Sequence, residues 1–347
     1  MKRTWFYIAI PAMLGIISCK KEVNQPGPGT KPKLYVVTTQ FEANTLTVRY
    51  FKDTSAIFLD PAPGYNAGTA IAVQDENVYI AGYDLITRNG ISVTHAKFWK
   101  NGIPTVLSDS NENSTAYAMA LSGNDVYVAG FDYKNRPVKA VYWKNSSPVI
   151  LTNSLGDANA FAIAVSGNDV HVAGVIWPDS TNITLAVYWK NGQLTKLGQD
   201  TMAVTSGIFL AGSDVYISGY AFQNGHYIAC YWKNGSIVKL TDGSVDAYAK
   251  GIVLHGNDVY VCGFQTRIGN FHSAVIWKNG QENIISDPAT DAFANAIALD
   301  GSNIYVAGME SGGARNEIAK YWLNGKAVEL GDNNGGDSFA TGLFLEK

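Results

Sequence analysis

Six segments of this 347-residue chain share one ending: an aromatic or aliphatic residue, then Trp, then Lys or Leu, then Asn and usually Gly. They are Phe98-Trp99-Lys100-Asn101-Gly102, Tyr142-Trp143-Lys144-Asn145, Tyr188-Trp189-Lys190-Asn191-Gly192, Tyr231-Trp232-Lys233-Asn234-Gly235, Ile276-Trp277-Lys278-Asn279-Gly280 and Tyr321-Trp322-Leu323-Asn324-Gly325. The tryptophans stand 44, 46, 43, 45 and 45 residues apart, and a weaker copy, Tyr50-Phe51-Lys52-Asp53, lies 48 before Trp99. Lys33 to Lys347 is 315 residues, the length of seven such units. A fixed period of this size means one supersecondary unit stacked many times, so the chain reads as one array and not as unrelated domains.

Each unit reads as four short strands. Strand A is Ala-rich, as in Ala160 to Val165, and a Ser-Gly-Asn-Asp turn leads to strand B, as in Val126 to Gly130. A connection of varying length precedes strand C, as in Ala140 to Trp143, and Lys-Asn-Gly turns tightly into strand D, as in Leu194 to Leu197. Asn-Gly is a strong hairpin signal because both residues accept positive φ. No window carries a 3.6-residue period, so no helix is expected.

The arrangement predicts an all-β fold, a seven-bladed β-propeller of four-stranded blades. Strands covered on both faces explain the near-continuous apolar runs. The third residue of strand A is always small (Ala70, Ala118, Ala162, Gly207, Gly251, Ala296, Gly342), as crowding of inner strands at an axis requires. The repeated Trp is then a packing residue between blades. The first unit, Leu34 to Leu59, has no strand A before it, and the last strand A, Ala340 to Leu345, has no unit after it. The C-terminal strand is therefore expected to join the N-terminal blade and close the ring, removing an exposed edge.

The units also resemble the HAF-type extracellular repeats of bacteria, in which a Gly-ended strand joins an aromatic-Trp-x-x-Gly hairpin. The resemblance covers Thr69 to Leu345, with His-Ala-Phe itself replaced, as by Ala140-Val141-Tyr142. It implies an extracytoplasmic location and this fold, and no particular activity.

The N-terminus reads as a lipoprotein signal. Lys2 and Arg3 precede the uncharged run Trp5 to Ile17, which is too short to span a bilayer. Ile16-Ile17-Ser18-Cys19 resembles the bacterial lipobox, and that resemblance implies cleavage before Cys19 and lipid attachment to it. Lys20-Lys21-Glu22, with no Asp after the Cys, looks like Bacteroidota lipoproteins sent to the outer membrane, facing the periplasm or the cell surface. The expected division is 1–18 signal peptide, 19–32 Pro/Gly spacer and 33–347 propeller. Cleavage would leave 24 basic and 29 acidic residues, a net charge of −5, which offers no general attraction to nucleic acid.

Only 16% of residues are charged and 46% are hydrophobic, which excludes disorder, and three cysteines exclude a disulfide scaffold. Cys230 and Cys262 replace apolar residues of their columns and are expected as buried thiols. The five His are isolated, with no His-x-x-x-His or Cys-x-x-Cys spacing, so no metal and no cofactor are expected. His171 takes the Tyr place in strand B and is expected in the core. Asp157, Asp246, Asp291 and Asp337 recur in phase with the repeat, as structural turn caps do, whereas a glycosidase needs one pair in unlike environments.

Variation concentrates in the B–C and D–A connections, Tyr83 to His95 and Tyr220 to Tyr227 among them, and binding residues ride on such segments. Trp177 stands outside the repeated Trp column, and four of the five arginines after the signal, Arg88, Arg136, Arg267 and Arg315, lie there. With Tyr117 and Phe161, which precede the small column, they form a candidate binding rim suited to an acidic glycan or a partner protein. The competing view is that loop arginines bond nearby carbonyls and Trp177 caps its own blade. The function expected is a non-enzymatic, membrane-anchored binding scaffold. The alternatives are a propeller glycan hydrolase or lyase, requiring converging carboxylates, and a purely structural envelope lipoprotein.

Overall fold

The computed structural model describes residues 31–347 apart from 43–44, 60–64, 89, 109–112, 134–136, 153–155, 180–182, 199–201, 268–270, 312–316 and 331–335. The signal segment 1–18, Cys19 and the spacer up to residue 30 therefore lie outside the described residues, as do Arg136, Arg315 and the side chain of Arg88. The described chain is all strand and turn, with no helix, as expected.

Five repeats form separate antiparallel sheets in A–B–C–D order. In the Trp189 unit the strands are Asp157–Ser166, Asp169–Trp177, Leu185–Lys190 and Gln193–Lys196. The Trp232 unit runs Ala203–Ala211, Asp214–Gln223, His226–Lys233 and Ser236–Lys239. The Trp277 unit runs Ala247–His255, Asp258–Thr266, His272–Lys278 and Gln281–Ile284. The Trp322 unit begins Asp291–Asp300, Asn303–Ser311, Glu317–Leu323. The N-terminal strands Lys33–Glu42, Thr45–Lys52 and Ser55–Phe58 share an eight-stranded sheet with the Trp99 unit, joined by one parallel bridge, Leu46 to Tyr65. The C-terminal strand Asp337–Glu346 pairs antiparallel with Lys33–Glu42, Leu34 opposite Leu345 and Val37 opposite Gly342.

Every A–B pairing slips by one residue at the same place. The interruptions fall at Thr69, Tyr117, Phe161, Ser206, Asn295 and Thr341, and between Ala249 and Ile252. These are β-bulges, which add a residue to one strand and sharpen its twist. Opposite each in the six Trp units stands the Gly that ends the strand B motif. A Cβ at Gly82, Gly130, Gly174, Gly219, Gly263 or Gly308 would lie 1.9–2.1 Å from a strand A carbonyl oxygen. At Gly174, Gly219 and Gly263 it would also meet the ring of the unit's own Trp at 2.9–3.0 Å. The small column behaves as expected too: a Cβ on Gly207 would be 2.8 Å from the Lys250 carbonyl, so a larger residue would push neighbouring inner strands apart.

The six tryptophans are at most 1% exposed and form the largest buried side chains, as their packing role required. The outer strands are solvent-exposed throughout, except for one half-buried residue in each of Ile103–Val106 and Lys326–Glu329. Two segments expected as loops are strands instead. Asn77–Arg88 and Ile91–Lys100 form a long hairpin, and Asp214–Gln223 returns through Asn224-Gly225 (φ 53° and 92°) into His226. Their Asn-Gly pairs carry the same signal as the C–D turns.

Candidate functional site

Antiparallel order places the A–B and C–D turns on one rim, and the ends of strand B with the starts of A and C on the other. On the turn rim the repeated residues satisfy one another. The Asn of each C–D turn has positive φ, 48–52° at Asn101, Asn145, Asn191, Asn234, Asn279 and Asn324. Its carbonyl oxygen accepts the N–H at the head of strand B, from Val78, Val126, Val170, Val215, Val259 and Ile304, at 2.8–2.9 Å. Its amide donates to Asp125, Asp169, Asp214 or Asp258, and the adjacent lysine pairs with the same carboxylate at 2.8–3.2 Å. Lys144, Lys190 and Lys278 hold Asp125, Asp169 and Asp258 below the usual carboxylate range; at Asp214 the Asn234 amide contributes most. The repeated Asp, Lys and Asn side chains of this rim are thus engaged with one another.

The opposite rim differs. Its recurring aspartates are structural, although they do not cap their own turns as expected. Each reaches into the preceding unit, where Asp157, Asp246, Asp291 and Asp337 accept the N–H of Val138, Tyr227, His272 and Glu317 at 2.6–3.1 Å. They fasten neighbouring units together, and Asn113 does the same for Thr94.

Superimposed on that frame is one aperiodic feature, a chain of rings across three successive units. Phe222 packs edge-on to Tyr227 (centroids 5.2 Å), and Tyr227 meets Tyr220 (5.4 Å) and Tyr248 (5.5 Å). Tyr248 stacks on Phe264 (4.8 Å), which contacts Phe293 (4.7 Å) and His272 (5.4 Å). Phe222 is 38% exposed, and Phe271 beside His272 is 48% exposed, while the inner rings are half-buried or, at Phe293, buried. Burial first, and Tyr227 second, pushes the Tyr220 phenol up to about 12, so it stays a neutral hydrogen-bond donor. A half-exposed aromatic surface with polar tips is the composition of recognition sites.

Polar groups flank the ring chain. His272 Nδ1 is 2.9 Å from Asp291 Oδ1, and His226 Nδ1 is 3.3 Å from Asp246 Oδ1. Burial works against the Asp291 charge, yet the side-chain and backbone bonds from His272 keep it below the usual range. Glu317 is raised to about 7 by burial, then by Asp337 and Asp291. Among the described residues no group of three His, Cys, Asp or Glu side chains could hold a metal ion. Cys230 and Cys262 are buried and unbonded, and burial pushes the Cys262 thiol up to about 12. His171 is buried with Nδ1 2.6 Å from the Tyr188 hydroxyl, a satisfied core residue as expected.

Of the residues proposed from sequence, Trp177, Arg267, Tyr117 and Phe161 are described, and among these Tyr117 and Phe161 are in ring contact. Trp177 ends its strand half-buried, with its backbone carbonyl against Gly156 and no ring contact to the aromatic chain. Arg267 donates to the carbonyls of Pro288 (2.7 Å) and Thr290 (2.8 Å), tying its loop to the next unit. Tyr117 and Phe161 are bulge residues and pack edge-on to each other at 5.3 Å. The chain of rings was missed because its members are scattered over 74 residues, Tyr and Phe are common in strands, and only the stacking of units juxtaposes them. The one available signal was phase: Tyr220 and Phe264 follow the Gly that ends the strand B motif, and Tyr248 and Phe293 lie two residues before the bulge residue of strand A.

No protein-family model and no curated protein sequence matches the chain. Solved structures do. A puromycin-hydrolysing peptidase of Mycobacterium tuberculosis aligns with TM-score 0.59 at 12% identity, over 87% of this chain and 52% of that one. The β-propeller domain of the Trilobed protease from Pyrococcus furiosus, described as having an open velcro topology, aligns with TM-score 0.57 at 11% identity, over 88% and 96%. The Pyrococcus horikoshii acylaminoacyl peptidase aligns with TM-score 0.55 at 13% identity, over 88% and 52%. The chain thus spans about half the length of the peptidases it resembles and nearly all of an isolated propeller domain. At this identity the likeness is one of fold, and the fold is a β-propeller.

Proposed function

We propose that this chain is an outer-membrane-anchored lipoprotein whose seven-bladed propeller is a non-enzymatic binding module, with the ring chain Phe222–Phe293 as its glycan-binding face. The anchoring is supported by the ordered basic, apolar and Ile16-Ile17-Ser18-Cys19 segments. The seven-bladed closed ring is supported by the pairing of the C-terminal strand with Lys33–Glu42. It is supported further by side-chain bonds on both flanks of that strand, from Asn295 to the Ala340 carbonyl (3.0 Å) and from Thr341 to the Gly68 carbonyl (2.8 Å). The single observation carrying the binding role is the contiguous, partly exposed aromatic surface on the rim where sequence varies, facing a turn rim whose polar groups are spent on each other.

A glycan array probed with the purified full chain tests the reading. Binding is expected for wild type and Trp177→Ala, and loss for Phe222→Ala and Tyr248→Ala. Equal signals from all four, or silence, would remove the ring chain as the site. In bacterial cells producing the chain, a palmitate analogue should label wild type and not Cys19→Ala; labelling of both would end the lipoprotein assignment.

One grouping favours an enzyme instead: Glu317, raised to about 7, beside Asp291 and Asp337. Release of reducing sugar from array-positive glycans, abolished in Glu317→Gln, would establish the hydrolase reading.

A further inference from the structure

The seven bulge side chains of the inner strands are neutral except one. Thr69, Asn295 and Thr341 each donate to a carbonyl of the next inner strand, Ala116, Ala340 and Gly68, at 2.8–3.0 Å. Tyr117 and Phe161 pack on each other, and Ser206 is buried. The remaining member, Lys250, is 5% exposed, and no carboxylate or hydrogen-bond acceptor among the described residues meets its amine. Its side chain is too long for the short reach that Thr and Asn make to the neighbouring carbonyl. It runs toward the loop rim instead, where Nζ lies 5.6 Å from the centroid of Phe264, a ring at the middle of the aromatic chain.

A cation buried without a counter-ion is costly, so an anion that reaches it is favoured there. Burial lowers the Lys250 amine to about 8. The facing residue Cys262 offers no thiolate, since burial raises it to about 12. On the same rim Asp246 accepts from Tyr227 and His226, and Asp291 from His272. The cation therefore adjoins the aromatic surface with its charge unanswered.

We propose that Lys250 is the anion-recognition residue of the aromatic site, and that the ligand is a uronate-containing glycan. The sugar ring rests on the surface around Tyr248 and Phe264 while its carboxylate meets the ammonium. This rests on the reading of the ring chain as a glycan site and adds the class of sugar. The arginines singled out in the sequence are not needed for it, and Arg267 is already bonded to two carbonyls.

The test is calorimetry on the full chain with an oligogalacturonate and its carboxyl-reduced, neutral counterpart. Wild type is expected to prefer the acidic ligand by about tenfold or more, the worth of one charged hydrogen bond. Lys250→Met should level the two affinities, and Lys250→Arg should keep the preference. Should Lys250→Met fail to fold, acetylation of Lys250 in wild type, followed by mass spectrometry, gives the same answer: protection by the acidic ligand and none by the neutral one. Equal affinity of wild type for both ligands overturns the inference and leaves the glycan site standing. Binding of neither, with Lys250 still protected by acetate ion, overturns the glycan site and keeps the amine as an anion site. Binding of neither without protection overturns both.

Discussion

The two rims of this propeller are built from the same four strands, yet they use sequence in opposite ways. On the turn rim four units repeat Asp, Lys and Asn, and each copy pairs these groups with one another: Asn279 binds Val259 and Asp258, and Lys278 binds Asp258. On the loop rim a periodic Asp joins neighbours, but what lies between those joints changes from unit to unit. Periodicity marks the parts that hold the array together, and loss of phase marks where the units differ. In a repeat protein a residue's departure from its column is more informative than its chemistry alone. Lys250 stands where other units have Thr, Ser, Asn or an aromatic residue.

The contrast can be broken at three strengths. Deleting Ala340 to Lys347 removes most of the strand that pairs with Lys33–Glu42, exposing Val36 and Val37, now fully buried. The expected result is aggregation or rapid proteolysis with no cooperative melting transition; an unchanged melting curve would refute closure by this strand. A smaller effect is expected at Asn279. Asn279→Ala removes the bonds to Val259 and Asp258 and the residue suited to φ 50°, costing about 1–3 kcal/mol by chemical denaturation. Glycan affinity should not change, because the turn rim is far from the rings; a loss of affinity would mean the rims are coupled.

The smallest effect is a pH dependence at Glu317. Its carboxyl, 4.5 by ordinary standards, is raised to about 7 by burial and the neighbouring Asp337 and Asp291. The folded state therefore holds this proton more tightly than the unfolded chain, and the associated stability is complete below about 4.5 and lost as pH rises through about 7. Glu317→Gln should flatten the fall in melting temperature between pH 5 and 8. The change is worth about 1 kcal/mol, because solvent around the half-buried carboxyl screens the repulsion. A variant with the wild-type slope would place the repulsion elsewhere.

Much of the architecture was legible before any coordinates. The Trp period, the Asn-Gly turns and the orphaned terminal strand A each follow from local rules that act within about 45 residues. The small column anticipated close contact between inner strands. Other features were visible without their cause. The Gly ending strand B was read as a motif, but its reason is the bulge opposite, which brings a carbonyl to where a Cβ would stand, as at Gly263 and Tyr248. Two segments read as loops are hairpins, because conformational variety was inferred from variable sequence where Asn224-Gly225 in fact signalled a tight turn.

The candidate site was hardly legible. Trp177 and Arg267 drew attention as unusual residues in variable segments, whereas the structure leaves Trp177 outside the ring chain and spends Arg267 on two carbonyls. By itself the sequence determined the repeat, the strand type, the turn chemistry and the residues that must be small, because these depend on backbone sterics and on neighbours near in the chain. Only the tertiary structure decided which side chains of different units touch. Stacking brings Phe222 within reach of Phe293 through a relay of rings and sets the Lys250 amine beside Phe264, and such contacts are set by the packing of whole sheets, which no local pattern encodes.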